Sequence, residues 1–213
     1  MKIAILGAGD VGGTLGRRFA EVGHEVFFGV PNPRDEKHRS LADQIGASAQ
    51  FGTVAQAARE AQIILLAVPY GAVADAIREC GDLTDKILID ATNPLAFADG
   101  ALKLMVGFET SGAEQVAGLA GGAKVVKCFN QTGFGNMAEP RYGDAGSVMF
   151  VCGDDPAANE TVRALAEAIG FEAIDAGRLE VARLLEPLAM LWIHLAFTTD
   201  LKRGFAFALL RKA

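Results

Sequence analysis

A chain of 213 residues with a hydrophobic fraction of 51% and a net charge of −6 can bury about 70% of its unfolded surface and needs no disulfide or metal to hold it together. The acidic balance argues against nucleic acid as the main partner. Cys80, Cys128 and Cys152 are scattered and form no CxxC pair or Cys/His cluster, so buried free thiols in a reducing cytoplasm are expected, and no metal site. The best apolar run, 188–197, is ten residues long and interrupted by His194. That is half of the about 20 residues a membrane span needs. No secretory signal is read at the start, and a cytoplasmic protein with no membrane partner is expected.

Strand and helix signals alternate along the chain. Residues 2–6 are an apolar strand, followed by a glycine-rich turn and a helical stretch over 11–22 that stops at Gly23. Residues 25–30 read as the second strand and 34–45 as a helix stopping at Gly46. Thr53 caps a short helix through residue 60. The wholly apolar run 63–68 is a central strand ended by Pro69, followed by a helix over 71–80. Residues 86–90 form a strand closed by Thr92-Asn93-Pro94. Ser111 and Glu114 make a capping box that opens a helix to residue 120, and 124–129 is again a strand. Beyond it, 130–146 is rich in Gly, Asn and Pro and reads as loop. A strand follows over 147–152. A helix capped by Asp155-Pro156 then runs to Gly170. After a strand over 171–175, residues 179–199 form the longest helix. It is apolar around most of its circumference, so it is expected to be buried on most sides, between domains or subunits. The alternation gives an α/β fold: a Rossmann-type doubly wound parallel sheet (1–129) with a small α/β C-terminal domain (130–213).

The glycines Gly7, Gly9 and Gly12 follow a strand directly and open a helix, the context that makes GxGxxG a dinucleotide-binding turn. Gly7 allows the tight turn, Gly9 the approach of a pyrophosphate, and Gly12 close helix–strand packing. The anion then sits on free N–H groups at Asp10 and Val11, where the helix begins. NAD-binding proteins place an acid at the end of the second strand, but here it ends in Gly29-Val30. With no carboxylate to repel a 2′-phosphate, and with Arg34, Lys37 and Arg39 close behind, NADP(H) is the favoured cofactor. Val30, Asn32, Arg34 and Lys37 are its expected neighbours. Asp35 and Glu36 weaken this local field, and a solvated charged helix is the competing reading. Strand ends place Ala67, Val68 and Pro69 against the cofactor and Thr92 and Asn93 near the nicotinamide. Asn93 either bonds the carboxamide or ribose, or caps the turn before Pro94.

Acid–base machinery is sparse. His24 reads as structural, His38 as a neighbour of the 2′-phosphate, and His194 as a residue of a buried helix. There is no Ser-His-Asp triad and no Lys/Asn pair on a long helix, so no catalytic side chain is nominated. Reducing a carbonyl needs a proton donor at the acceptor. Reducing a flavin-like ring does not, because the ring delocalises the charge, and the protein need only stack two rings at about 3–3.5 Å.

The chain resembles the NADP oxidoreductases dependent on the deazaflavin coenzyme F-420. The likeness spans the whole chain and rests on Gly7–Gly13, Gly23-His24-Glu25-Val26, Val68-Pro69, Val125-Val126-Lys127, Val151-Cys152-Gly153-Asp154-Asp155, Asp175-Ala176-Gly177 and Arg183-Leu184-Leu185-Glu186. The cytosolic domain of six-transmembrane metalloreductases is similar to the same modules. The resemblance implies a homodimer and hydride exchange between NADP(H) and coenzyme F-420 or a flavin such as FMN or FAD, the small-molecule redox acceptor. It also implies that Asn130, Gln131 and Thr132 line the second-substrate pocket. Trp192 either stacks on that ligand or is plain core. Such families carry Ser-Arg after the glycine of strand two; here Val30-Pro31 stands in its place and Asn32-Pro33-Arg34 looks inserted, which leaves Arg34 as the substitute. Six basic residues between 178 and 212 stand against three acidic ones. Arg183, Lys202 or Arg203 either meets an anionic acceptor or belongs to a solvated helix end. Two alternatives remain open: a flavin-mediated ferric reductase, and a non-catalytic NADP(H)-binding redox sensor. Imine or hydroxyacid reduction would call for a longer helical domain and a clear acid.

Overall fold

The computed structural model describes residues 1–98 and 100–212. Its first half alternates β1 (Lys2–Leu6), α1 (Asp10–Glu21), β2 (Glu25–Gly29), α2 (Glu36–Ile45), β3 (Ala49–Gly52), α3 (Val54–Glu60), β4 (Ile63–Leu66), α4 (Val73–Cys80) and β5 (Ile87–Asp90). A hairpin, β6 (Leu95–Ala98) and β7 (Ala101–Leu104), leads to α5 (Gly112–Leu119) and β8 (Lys124–Lys127). The last third holds α6 (Phe134–Ala138), a short hairpin β9 (Arg141–Tyr142) and β10 (Ala145–Gly146), then β11 (Val148–Gly153), α7 (Pro156–Ala168), β12 (Glu172–Gly177) and α8 (Ala182–Thr198).

Eight strands form one sheet in the order β12-β11-β8-β5-β4-β1-β2-β3. The sheet is parallel except where β11 runs antiparallel to β8. Segment 130–212 therefore extends the same sheet by two strands. Side chains alternate across it as a pleated strand requires. Ile3 and Ile5 join a core with Leu15 and Phe19 of α1 and Val162 and Leu165 of α7. Ala4 and Leu6 join the opposite core with Ala57 of α3, Val116 of α5 and Leu185 of α8. The strand order reverses at β1, between β2 and β4, and sets the site's location at that switch point.

Caps end elements where the sequence places them. Thr53 and Gln56 form a full capping box, Asp155 accepts from the Ala158 N–H, and Ser111 accepts from the Glu114 N–H. The segment read as loop contains α6 and the β9–β10 hairpin. The longest helix departs from expectation. It buries Ala182, Leu185, Glu186, Ala189, Trp192 and Ala196 on one face only. Leu184, Leu191 and Phe197 are exposed, as is His194. Together with the preceding 3-10 turn, Leu179–Thr198 is long and apolar enough to cross a membrane by length and composition, more than the ten-residue run suggests. The Glu186 carboxylate on its inner face binds it to the sheet.

Candidate functional site

The glycine turn is shaped by backbone contact. Gly7 has φ +101°, and a Cβ there would stand 2.5 Å from the Ala67 carbonyl oxygen. A Cβ on Gly12 would collide with the Gly7 carbonyl. Gly9 is different. It is the N-cap of α1, no side chain caps that helix, and an added Cβ would meet nothing within 4 Å. The first-turn N–H groups of Asp10, Val11 and Gly12 thus face an open cradle, the arrangement an anionic pyrophosphate needs. These residues fit a dinucleotide.

Beside the cradle, a groove of about 260 Å³ runs between α1 and α2, lined by Gly9, Thr14, Arg17, Lys37 and Gln44 among others. Val30 is buried and donates its N–H to the Gly52 carbonyl at 3.0 Å. Asn32 is exposed, and its carbonyl lies 2.9 Å from His38 Nδ1. His38 is buried and stacks on Phe51 at 5.3 Å, so it closes the turn instead of facing a ligand. Arg34 is exposed and stands outside the groove lining. Lys37 lies in that lining, with Nζ 3.5 Å from Asp35 Oδ2. Ala67 and Val68 are half-buried beneath Gly7, with Pro69 exposed beyond them.

At the carboxyl ends of β5 and β8 the strands converge on a wholly buried ion cluster. Lys127 Nζ lies 2.9 Å from Asp90 Oδ2 and 2.8 Å from Glu186 Oε1, and it donates to the Thr92 carbonyl at 2.7 Å. Burial alone would lower the Lys127 ammonium, but the two carboxylates outweigh it and hold it above its ordinary value. Glu186 also accepts from the Gly112 and Ala113 N–H groups at 2.9 and 3.1 Å, at the positive end of α5. Asp90 accepts from the backbone and hydroxyl of Thr92 at 2.9 and 2.7 Å. Thr92 is thus fixed from both sides, and α8 is anchored to the sheet.

Asn93 and Asn130 form a reciprocal pair. Asn93 Nδ2 donates to the Asn130 carbonyl at 2.9 Å, and Asn130 Nδ2 donates to Asn93 Oδ1 at 3.0 Å. An amide offers two donors and two acceptor sites, so Asn93 keeps capacity for a ligand. Gln131 is buried and clamps the backbone of Phe150, donating at 2.8 Å and accepting at 2.9 Å. It braces the pocket wall without lining it.

Between the glycine turn and α8 lies a mostly apolar pocket of about 420 Å³. Asp10, Val11, Ala91 and Asn93 form the side next to the glycine turn; Thr132, Phe134, Met137 and Trp192 form much of the far side. The Trp192 ring is only 4% exposed. It stacks on Phe205 at 5.3 Å, and its Nε1 donates to the Phe205 carbonyl at 3.1 Å. Asn136 donates to the same carbonyl at 2.7 Å, so the segment after α8 is pinned across the pocket. Arg203 on that segment lies over the Phe197 ring at 4.8 Å and lines the pocket. Arg183 is committed elsewhere. It grips Glu114 at 2.9 and 2.6 Å, and this contact holds the Glu114 carboxyl below its usual range.

The three thiols are buried. Burial pushes Cys80 up to about 11, Cys152 up to about 12, and Cys128 well above the ordinary thiol value, so they are protonated and inert at neutral pH. Among the described residues, no group of three or more His, Cys, Asp or Glu side chains is placed to hold a metal ion.

The structure adds residues that sequence reasoning passed over. Arg17 follows Gly9 and Gly13 at fourfold spacing, a helix-face signal that was available. A lysine closing the apolar strand β8 and a glutamate inside an apolar helix were also visible, and each calls for a buried partner. The contact of Phe205 with Trp192 had no local signal.

A family described as "NADP oxidoreductase coenzyme F420-dependent" matches residues 2–94. The chain is 34% identical over 210 residues to the F420-dependent NADP reductase of Methanothermobacter thermautotrophicus, covering 92% of this chain and 89% of that protein. It is 32% identical over 190 residues to metalloreductase STEAP3 of Rattus norvegicus, covering 89% of this chain but 36% of that protein. The chain thus spans about a third of that relative's length. A solved structure described as a putative F420-dependent NADP-reductase from Arthrobacter sp. FB24 matches with a TM-score of 0.89 at 32% identity, covering 99% of this chain and 100% of that one.

Proposed function

The chain belongs to the family of F420-dependent NADP oxidoreductases, and from that premise we propose that it transfers hydride between NADP(H) and a flat, charge-delocalising acceptor, a deazaflavin such as coenzyme F420 or a flavin. The observation that carries this reading is the apolar pocket, which begins at the glycine turn itself and is walled by Phe134, Met137 and the edge of Trp192. A bound nicotinamide supplies the hydride chemistry. The chain's own residues do the rest. The Gly9 cradle holds the pyrophosphate, the braced Thr92–Asn93 segment orients the pyridine ring, and the aromatic wall excludes water and presents the acceptor's face. Of the two ionisable groups in the lining, Arg203 carries positive charge to the pocket edge. Asp10 stands in the first turn of α1 at the cradle, and among the described lining residues no His, Lys, Glu, Tyr or Cys side chain stands ready to donate a proton. A ring acceptor needs none.

The test is the decay of the nicotinamide absorbance with acceptors added singly. Consumption of NADPH with a deazaflavin or free flavin supports the reading. Consumption that requires a ferric chelate besides flavin favours metal reduction, and tight NADPH binding with no turnover favours a redox sensor. The reading includes a homodimer in the cytoplasm. Phe197 and Phe97 are exposed and line an apolar groove of about 620 Å³ between α8 and the β6–β7 hairpin, a face a second copy would cover. Sedimentation equilibrium giving a monomer at tens of micromolar removes that part.

A further inference from the structure

The groove between α1 and α2 carries charge that pyrophosphate binding leaves unused. Arg17 lines it and is half-buried, with no ion pair or hydrogen bond among the described residues. Its neighbour Arg18, by contrast, is spent on Glu21 at 2.5 Å and on the Ile169 carbonyl at 3.0 Å. A partly desolvated cation without a counter-charge is costly unless an anion joins it. Gly9, Gly13 and Arg17 share one face of α1. Helical side chains lean toward the N-terminus, so the long Arg17 side chain points back toward the cradle. Across the groove stands Lys37, whose 3.5 Å pair with Asp35 is exposed and weak. The one acid in the groove lining is Asp10 at the cradle; Asp35 stands behind Lys37, and Glu36 and Asp43 share the adjoining outer surface of α2 with Ser40, Gln44 and Arg39. At the end of β2 no carboxylate stands, only Gly29 and buried Val30.

We infer that Arg17, aided by Lys37, binds the 2′-phosphate of the dinucleotide and so sets the preference for NADP over NAD, in place of the Arg34 that the sequence suggests. A guanidinium offers phosphate two parallel donors, which Arg34, exposed and outside the groove lining, is not placed to do. This rests on the reading that the glycine turn holds NADP(H), and the experiment separates the two.

Equilibrium binding of NADPH, NADH, 2′,5′-ADP and 5′-AMP is measured on wild type, Arg17→Ala, Arg17→Lys and Arg34→Ala, each checked for an unchanged melting temperature. Arg17→Ala weakens NADPH and 2′,5′-ADP about tenfold or more, as expected for a lost hydrogen bond to a charged group. NADH and 5′-AMP change by less than about twofold. Arg17→Lys recovers part of the loss, because it restores charge without the fork. Arg34→Ala leaves the NADPH/NADH ratio where it was. Wild type that prefers NADPH, with Arg17→Ala losing both dinucleotides equally or neither, overturns the inference and leaves the NADP reading standing. So does a selective loss in Arg34→Ala. Wild type that binds neither dinucleotide overturns the NADP reading, and the inference falls with it.

Discussion

On the cofactor side of the site the backbone does the shaping: Gly7 passes close to Ala67, Gly12 lies against Gly7, and Gly9 faces open space. On the acceptor side the same work falls to side chains that arrive from distant parts of the chain. Asn136 and Trp192 pin Phe205, Asn93 pairs with Asn130, and Arg203 reaches in from beyond α8. At Gly7 and Gly12 the backbone tolerates no added atom, and at Gly9 a side chain would enter the cradle, whereas a surface built from side chains can be retuned residue by residue. Substitutions of these glycines should therefore weaken dinucleotide binding most, and substitutions on the second side should shift the acceptor preference.

The cluster of Lys127, Asp90 and Glu186 lies between the two sides, and breaking it should give the largest effect on stability. Lys127→Met leaves two buried carboxylates facing each other and costs about 3–5 kcal/mol, a fall in melting temperature of roughly 10 °C by calorimetry. A change below about 2 °C would mean the cluster adds nothing. The sign with pH follows from the raised Lys127 value. Its contribution is present through the neutral range and is lost only as pH climbs past the ordinary lysine value of 10.5 and through the higher folded one.

The glycines give the sharpest contrast. Gly9→Val should melt close to wild type, since nothing stands within 4 Å of the added Cβ and the branched carbons extend from there into the open cradle, yet it should bind NADPH about 100-fold more weakly because the cradle is filled. Gly12→Ala should lose both binding and stability. If Gly9→Val binds NADPH normally, the pyrophosphate does not rest there.

On the acceptor side the effects are smaller and selective. Arg203→Ala should raise KM about tenfold for a phosphorylated flavin but leave that for uncharged lumiflavin unchanged. Equal changes for both would assign Arg203 to packing on Phe197. Removing the stack with Phe205→Ala should raise the acceptor KM a fewfold at constant NADPH affinity. The smallest effect is on the thiols: an alkylating reagent at pH 8 should leave Cys80, Cys128 and Cys152 unmodified in the folded protein.

The same contrast explains what could be read without a structure. β1, the glycine turn and α1 are consecutive, so their strand period, turn chemistry and helix start reinforce one another within 20 residues. The edge strand β3, with Ala49-Gln50-Phe51-Gly52, is too short and too weakly patterned to stand out, and it forms because β2 offers it an open edge. The helix α6 begins at Gly133 with no capping side chain, so its start carries no local mark. For α8, composition gave the length but not the partner. An apolar circumference is compatible with full burial or with an exposed face, and only Glu186 and Trp192 tell which side is inside.

The most direct test of the central claim follows the transferred atom. The protein is mixed anaerobically with NADPH carrying deuterium at both C4 positions and with coenzyme F420, whose deazaflavin ring accepts hydride at a carbon and does not exchange it quickly with solvent. One deuterium per turnover, found in the reduced ring by mass spectrometry, is the predicted result. A reduced ring that carries only solvent hydrogen, or NADPH left unconsumed with free flavin as well as with coenzyme F420, would contradict direct hydride transfer across this pocket.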